Sequence, residues 1–163
     1  MTTEFSLIDP LGRIRIENNS EKKHAYRRAV ARGKIYMQPS TAGMIASGAI
    51  TKGDVLAVAR VAGIQAAKQT SNFLPLSRPL LISSVYVNYS FDENFVEVET
   101  QVETTGQTGV EMEALHACMI AALTVYDMCK SADKTMTISE IALWEKSGGT
   151  SGNWRRQEKE KSN

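Results

Sequence analysis

The chain has few of the residues that staple a fold or coordinate a metal. Of its 163 residues, two are cysteine (Cys118, Cys129), two are histidine (His24, His116) and four are proline. Two cysteines cannot build a disulfide framework, and with two histidines they fall short of a four-ligand zinc site, so no metal is expected to hold this fold. An excess of charge is also missing. The formal net charge is +1, which argues against nucleic acid or a membrane surface as the partner. Long hydrophobic runs are absent too: the most apolar stretch, Ala114 to Met128, is interrupted by His116 and Asp127 and reads as too short for a membrane span. The first residues, Met1-Thr2-Thr3-Glu4-Phe5, lack the basic and apolar regions of a secretory signal. What is present is 42% hydrophobic and 23% charged, the composition of a soluble single domain, expected in the cytoplasm.

The most local absence is of positive charge. Between Pro79 and Cys129 there is no Lys or Arg, while eight acidic residues fall there; Arg13 to Lys34 carries eight cations against Glu17 and Glu21. The basic stretch reads as a solvated face. The cations scattered elsewhere (Lys52, Arg60, Lys68, Arg78, Lys130, Lys134, Lys146) are what a small phosphorylated ligand needs once folding gathers them. The organisation expected is an N-terminal extension over 1–24, a domain over 25–152 and a mobile charged tail over 153–163.

Period-two alternation over Ala25 to Met37 predicts a strand. Pro39-Ser40-Thr41 opens a short helix that Gly48 closes, and Asp54 caps a second helix over Val55 to Gln69. This second helix is rich in Ala and Gly and allows another backbone to approach closely. Leu81 to Phe91 and Phe95 to Thr105 form a hairpin about Asp92-Glu93-Asn94. A long helix, Val110 to Ala132, is apolar on nearly all sides and is expected to be largely buried. A last strand, Met136 to Glu145, leads into the glycine-rich Lys146-to-Gly152 segment. Strand, helices, strand, strand, helix, strand is the α+β, ferredoxin-like split βαβ order, an antiparallel sheet with helices on one face.

Several groups could carry chemistry. Glu111, Glu113, Asp127 and Lys130 are polar residues in an otherwise apolar helix, where burial is costly unless they are paired or used. Asp127 and Lys130, three apart, share a face. Glu113 and Asp127 lie four turns apart, so one ligand cannot span them within one chain, and a neighbouring subunit is expected to complete each half. Lys52 precedes a helix N-terminus, Arg78 lies at a strand entry, and Lys146 borders glycines whose N–H groups can nest an anion. The two cysteines read as buried apolar residues and His116 as a satisfied helix residue.

Four strings say more. Lys52-Gly53-Asp54-Val55 with Ala59 to Lys68, Thr108-Gly109-Val110-Glu111-Met112-Glu113-Ala114-Leu115, Tyr126-Asp127-Met128-Cys129-Lys130 and Lys146-Ser147-Gly148-Gly149 together resemble the molybdenum cofactor biosynthesis protein C family, the cyclic pyranopterin monophosphate synthases. The resemblance covers most of Lys52 to Gly152 and is thinner before it. It implies a pyrophosphate-releasing lyase, without a cofactor, that converts (8S)-3′,8-cyclo-7,8-dihydroguanosine 5′-triphosphate to cyclic pyranopterin monophosphate. It also implies hexamers, trimers of dimers, with sites between subunits. By matched position, Lys52 and Lys130 are implied to transfer protons or stabilise an iminium, and Asp127 is the active-site carboxylate. Leu76, Ser77, Arg78, Glu111, Met112 and Glu113 are implied to bind substrate, and Lys146 to meet the triphosphate. Lysines of depressed pKa suit such proton transfers, and clustering of Lys52, Lys130 and Lys146 would depress them.

The sequence also departs from the family pattern. The usual Leu-Cys-His-Pro is Leu76-Ser77-Arg78-Pro79, the second lysine of the glycine-rich loop is Thr150, Val-Asp-Val-Ser is Glu17-Asn18-Asn19-Ser20, and a usual threonine is Ala25. The alternative these changes leave open is a diverged paralogue acting as a phosphorylated-ligand-binding or structural oligomer. An RNA-binding module of the same element order is excluded, because Phe95-Val96-Glu97-Val98-Glu99 is acidic where such a module needs a basic, aromatic strand.

Overall fold

A computed structural model describes residues 7–157. It contains β1 (Ala25–Tyr36), α1 (Pro39–Ala46), α2 (Val55–Phe73), β2 (Ile82–Phe91), β3 (Phe95–Gly106), α3 (Glu111–Cys129), β4 (Thr137–Ser147) and β5 (Trp154–Arg155). The strands form one antiparallel sheet in the order β2-β3-β1-β4-β5. The first four strands give the ferredoxin-like arrangement that the element order predicts.

Alternation explains the layers. In β1, Ala29, Ala31 and Ile35 are fully buried, and in β3 so are Val96, Val98, Thr100 and Val102; these side chains meet α3. The opposite face carries the charges. Arg28 reaches Glu145 at 2.8 Å on β4, Arg32 reaches Glu99 at 2.6 Å on β3, and Lys34 lies 3.6 Å from Glu140. The basic stretch is therefore not simply solvated. Its strand cations are half-buried between the two strands that hold their carboxylates, which accounts for the uneven distribution of charge along the sequence.

α2 lies against β2 and α3. At Gly63 a Cβ would meet the Ala117 carbonyl at 3.1 Å, the Val87 side chain at 3.2 Å and the Ala121 Cβ at 3.3 Å. The small residues of α2 thus allow close packing within the chain. α2 also runs four residues beyond the expected end. Its last turn is held by Thr70, whose hydroxyl donates to the Ala66 and Ala67 carbonyls and meets His116 Nδ1 at 3.1 Å.

α3 departs further from expectation. Its 19 residues are long and apolar enough to cross a membrane by length and composition, although half of that stretch is buried in the domain. Ala114, Ala117, Cys118, Ala121, Ala122, Val125 and Cys129 are fully buried, whereas Met112, Met119 and Leu123 are exposed. It is a one-sided core helix with an uncovered apolar stripe. After it, Asp133, 3% exposed, accepts from the Gln38 N–H at 2.9 Å and from Thr41 Oγ1. This caps α1 from a distance and fixes the end of α3 against it. The charged tail also differs from expectation at its start. Trp154 and Arg155 pair with Lys146 and Glu145, and Arg156 donates to Trp144 and Leu143; residues 158–163 lie outside the described part.

Candidate functional site

The residues implied by the resemblance fall into two groups at opposite ends of α3. The first surrounds a cavity of about 630 Å³ beside the helix N-terminus, lined by Leu76, Ser77 and Arg78, by Glu111, Met112 and Glu113, and by Lys146. Thr108 and Gly109, Glu17 and Asn19, and Leu143 and Trp154 complete much of the wall. Thr108 and Gly109 belong to a family-like string without having been singled out. Trp154 gave no signal, because a two-residue strand carries no readable period.

The chain builds this cavity from helix chemistry and tight turns. Val110 precedes α3 without a side-chain cap, and the first turn instead carries Glu111 and Glu113 on the cavity wall, carboxylates that meet the positive end of the helix dipole. Gly148 and Gly149 have φ of +88° and +78°, a conformation glycine adopts without strain. A Cβ on Gly148 would sit 2.0 Å from the Tyr26 carbonyl oxygen, and one on Gly149 2.0 Å from the Arg27 guanidinium. The loop after Lys146 is thereby pressed onto β1. Arg27 also donates to the Gly106 and Gln107 carbonyls at 2.9 and 3.0 Å and so links this loop to the one entering α3.

Within the cavity, Lys146 Nζ donates to Ser151 Oγ at 2.8 Å and lies 3.5 Å from Glu111 Oε1. Arg78 donates through Nη2 to the Glu17 carbonyl, holding the N-terminal segment against the wall. Glu113 is 4% exposed. Burial, with the Glu111 carboxylate adding to it, pushes its carboxyl up to about 7 against a partial offset from its own backbone N–H. Near neutrality Glu113 is divided between acid and carboxylate and is suited to pass a proton or to donate a hydrogen bond.

The second group lies at the C-terminal end of α3. Lys130 Nζ bonds Asp127 Oδ1 at 2.7 Å, and Lys52 Nζ, from the loop before α2, donates to the Asp127 carbonyl at 3.0 Å. A lysine on a terminal helix carbonyl meets both an orphan acceptor and the negative end of the dipole. The Asp127 and Lys130 side chains are 60% and 52% exposed, so this pair is solvent-facing rather than buried in apolar company. The hydrogen bond from Lys130, its charge and that of Lys52 hold the Asp127 carboxyl below the usual range, and the same bond pushes Lys130 upward. Two sequence expectations are corrected here. Lys146 does not join Lys52 and Lys130 within the chain, and Lys130 is raised by its acidic neighbour rather than depressed by cations.

Glu113 and Asp127 stand fourteen residues apart on α3, about 21 Å along a regular helix axis. Lys146 and Arg78 beside the acidic first turn of α3 at one end, and a lysine–aspartate–lysine set at the other, define the class: an α+β, ferredoxin-like protein with a charged cavity and a separate exposed lysine–aspartate cluster. Sequence comparison takes this further. The sequence model of the MoaC family matches residues 16–149, and the chain belongs to that family. It is 53% identical to a cyclic pyranopterin monophosphate synthase of Chloroflexus aggregans, over 95% of each chain. It is 52% identical to one from Desulfitobacterium hafniense over 98% of each, and 49% identical to one from Thermomicrobium roseum over 96% of each.

Proposed function

We propose that this chain is a cyclic pyranopterin monophosphate synthase, a lyase that rearranges the cyclised GTP derivative and releases pyrophosphate. The observation that carries the reading is near-full-length identity of about half to synthases, together with the placing of every family-matched residue in one of two compact groups. Lys146 and Arg78 take the triphosphate and stabilise the leaving pyrophosphate. Glu113 holds a proton in the apolar wall. Asp127, kept ionised by Lys130 and Lys52, orients the two ammonium groups that deliver protons to the ring nitrogens during rearrangement.

Neither group is sufficient alone, and we propose that a homo-oligomer, a trimer of dimers, brings the lysine–aspartate group of one copy to the cavity of its neighbour. Val58 and Val61 on α2, and Met119 and Leu123 on α3, are exposed and supply apolar surface for such contacts. No nucleic acid or membrane enters the reading, and the cytoplasm is the proposed compartment. Incubation with the cyclised substrate should release pyrophosphate and form the pterin product together, with light scattering showing a multiple of the 17.9 kDa chain mass. Pyrophosphate release without pterin would refute the assigned reaction, and full activity in a monomer would refute the divided site.

A further inference from the structure

One polar atom in the cavity wall has no partner. Asn19 is 5% exposed and lines the cavity, yet its side-chain oxygen Oδ1 is buried without a hydrogen bond. The surrounding loop leaves nothing to satisfy it. The Asn19 carbonyl accepts from the Lys22 N–H at 3.0 Å, the Ser20 N–H bonds Asn18 Oδ1, and Lys22 Nζ bonds Glu17. Gln107 Nε2 donates to the Lys22 carbonyl at 3.0 Å. Among the described residues, the other buried side-chain atom in this condition is the Tyr89 hydroxyl, which lines none of the described cavities.

A buried orphan acceptor is costly to retain, and at a ligand cavity the natural reason for it is a donor that arrives with the ligand. The chemistry of that donor is constrained. An amide oxygen repels phosphate oxygens, so the triphosphate is not its partner. The cations Lys146 and Arg78 on the same cavity are the groups suited to phosphate. The remaining donors on a guanine-derived nucleotide are the ribose hydroxyls, which also accept and so can pair with N–H groups or cations, and the N–H groups of its ring system, which only donate and so need an acceptor such as Oδ1.

We propose that Asn19 is a specificity-determining residue whose Oδ1 accepts a hydrogen bond from a ring N–H of the guanine-derived substrate. The inference rests on the synthase reading and adds to it the end of the ligand that faces the N-terminal segment. It also gives that segment a role: Arg78, by bonding the Glu17 carbonyl, keeps Asn19 at the wall. Discrimination by a hydrogen-bonding site is strong because the wrong ligand leaves the site's own group unpaired.

The test separates ring from triphosphate in the full-length protein. Binding of GTP and of inorganic tripolyphosphate is measured by calorimetry on the wild type and on Asn19→Leu, which keeps the branched shape in a larger side chain and removes the acceptor. The expected result is a loss of about tenfold to a hundredfold in GTP affinity. Tripolyphosphate affinity should be unchanged, and the melting temperature equal or higher because a buried unpaired polar atom has been removed. Equal losses for both ligands, no loss for GTP, absent GTP binding by the wild type, or a lowered melting temperature would overturn the proposal. Asn19→Asp keeps an acceptor but adds a negative charge that weakens both ligands, so its ratio of GTP to tripolyphosphate affinity should stay above that of Asn19→Leu; a ratio as low as that of Asn19→Leu counts against the hydrogen bond. Wild-type turnover of the cyclised substrate, measured separately, reports on the synthase reading, so failure of either claim is visible without the other.

Discussion

At the scale of single residues, burial and pairing give the charged groups opposite tendencies. Glu113, buried in the wall, has its carboxyl raised to about 7 from 4.5. In the unfolded chain it ionises near its ordinary value, so between about pH 4.5 and 7 the folded state holds a proton that the unfolded state has released. Stability therefore falls as pH rises through that window and levels off above it. Glu113→Gln keeps the shape without the charge. It should unfold at higher denaturant than the wild type at about pH 8, by on the order of 3 kcal/mol, with little difference at about pH 4; denaturant titrations at the two pH values check this. Lys52 and Lys130 behave differently, being exposed and engaged with Asp127. Lys52→Ala or Lys130→Ala should abolish product formation while leaving circular dichroism and melting temperature nearly unchanged, since exposed ion pairs add little to stability. A variant with full turnover would remove that lysine from the chemistry.

At the scale of elements, the glycine-rich loop shows how backbone conformation sets a side chain. Gly148→Ala must place a methyl against the Tyr26 carbonyl at a φ of +88°. The expected cost is about 1–3 kcal/mol, together with weaker substrate binding because Lys146 lies at the end of the strand that runs into this loop and bonds its Ser151; unfolding curves and KM measure the two effects. Which elements were legible in the sequence follows from similar local physics. The β2–β3 hairpin was readable because Val96, Val98 and Val102 alternate with glutamates, and a sheet with one wet face imposes that pattern. The end of α2 was not, because Thr70-Ser71-Asn72 are weak helix formers and the turn is fixed by the distant His116. β5 was hidden in a charged segment whose pairing is set by the tight turn through Gly148, Gly149 and Gly152. α3 was recognisable as a helix, yet an all-apolar sequence does not reveal which side stays uncovered. The site residues themselves were legible chiefly through family-like strings. Their division between the two helix ends followed from helical geometry, whereas Asn19 carried no signal that sequence alone could rank.

At the scale of the whole molecule, the separation along α3 makes a prediction that a single-chain site would not. Lys130→Ala and Arg78→Ala damage opposite ends of the proposed composite site. Each should be inactive by itself, but dissociated and reassembled in equal amounts they should regain up to about a quarter of wild-type activity, the statistical share of sites receiving both intact halves. Assays before and after reassembly decide the point, and a mixture as inactive as its components would place the whole site within one chain. The 19-residue length of α3 then has a consequence for supply. With the site divided between copies as proposed, a catalyst whose two halves stand about 21 Å apart on every copy would be silent until copies meet, and its output would rise more steeply than in proportion to the amount of chain made. A cell that lowered synthesis of the chain below its association threshold would then lose the activity faster than the protein.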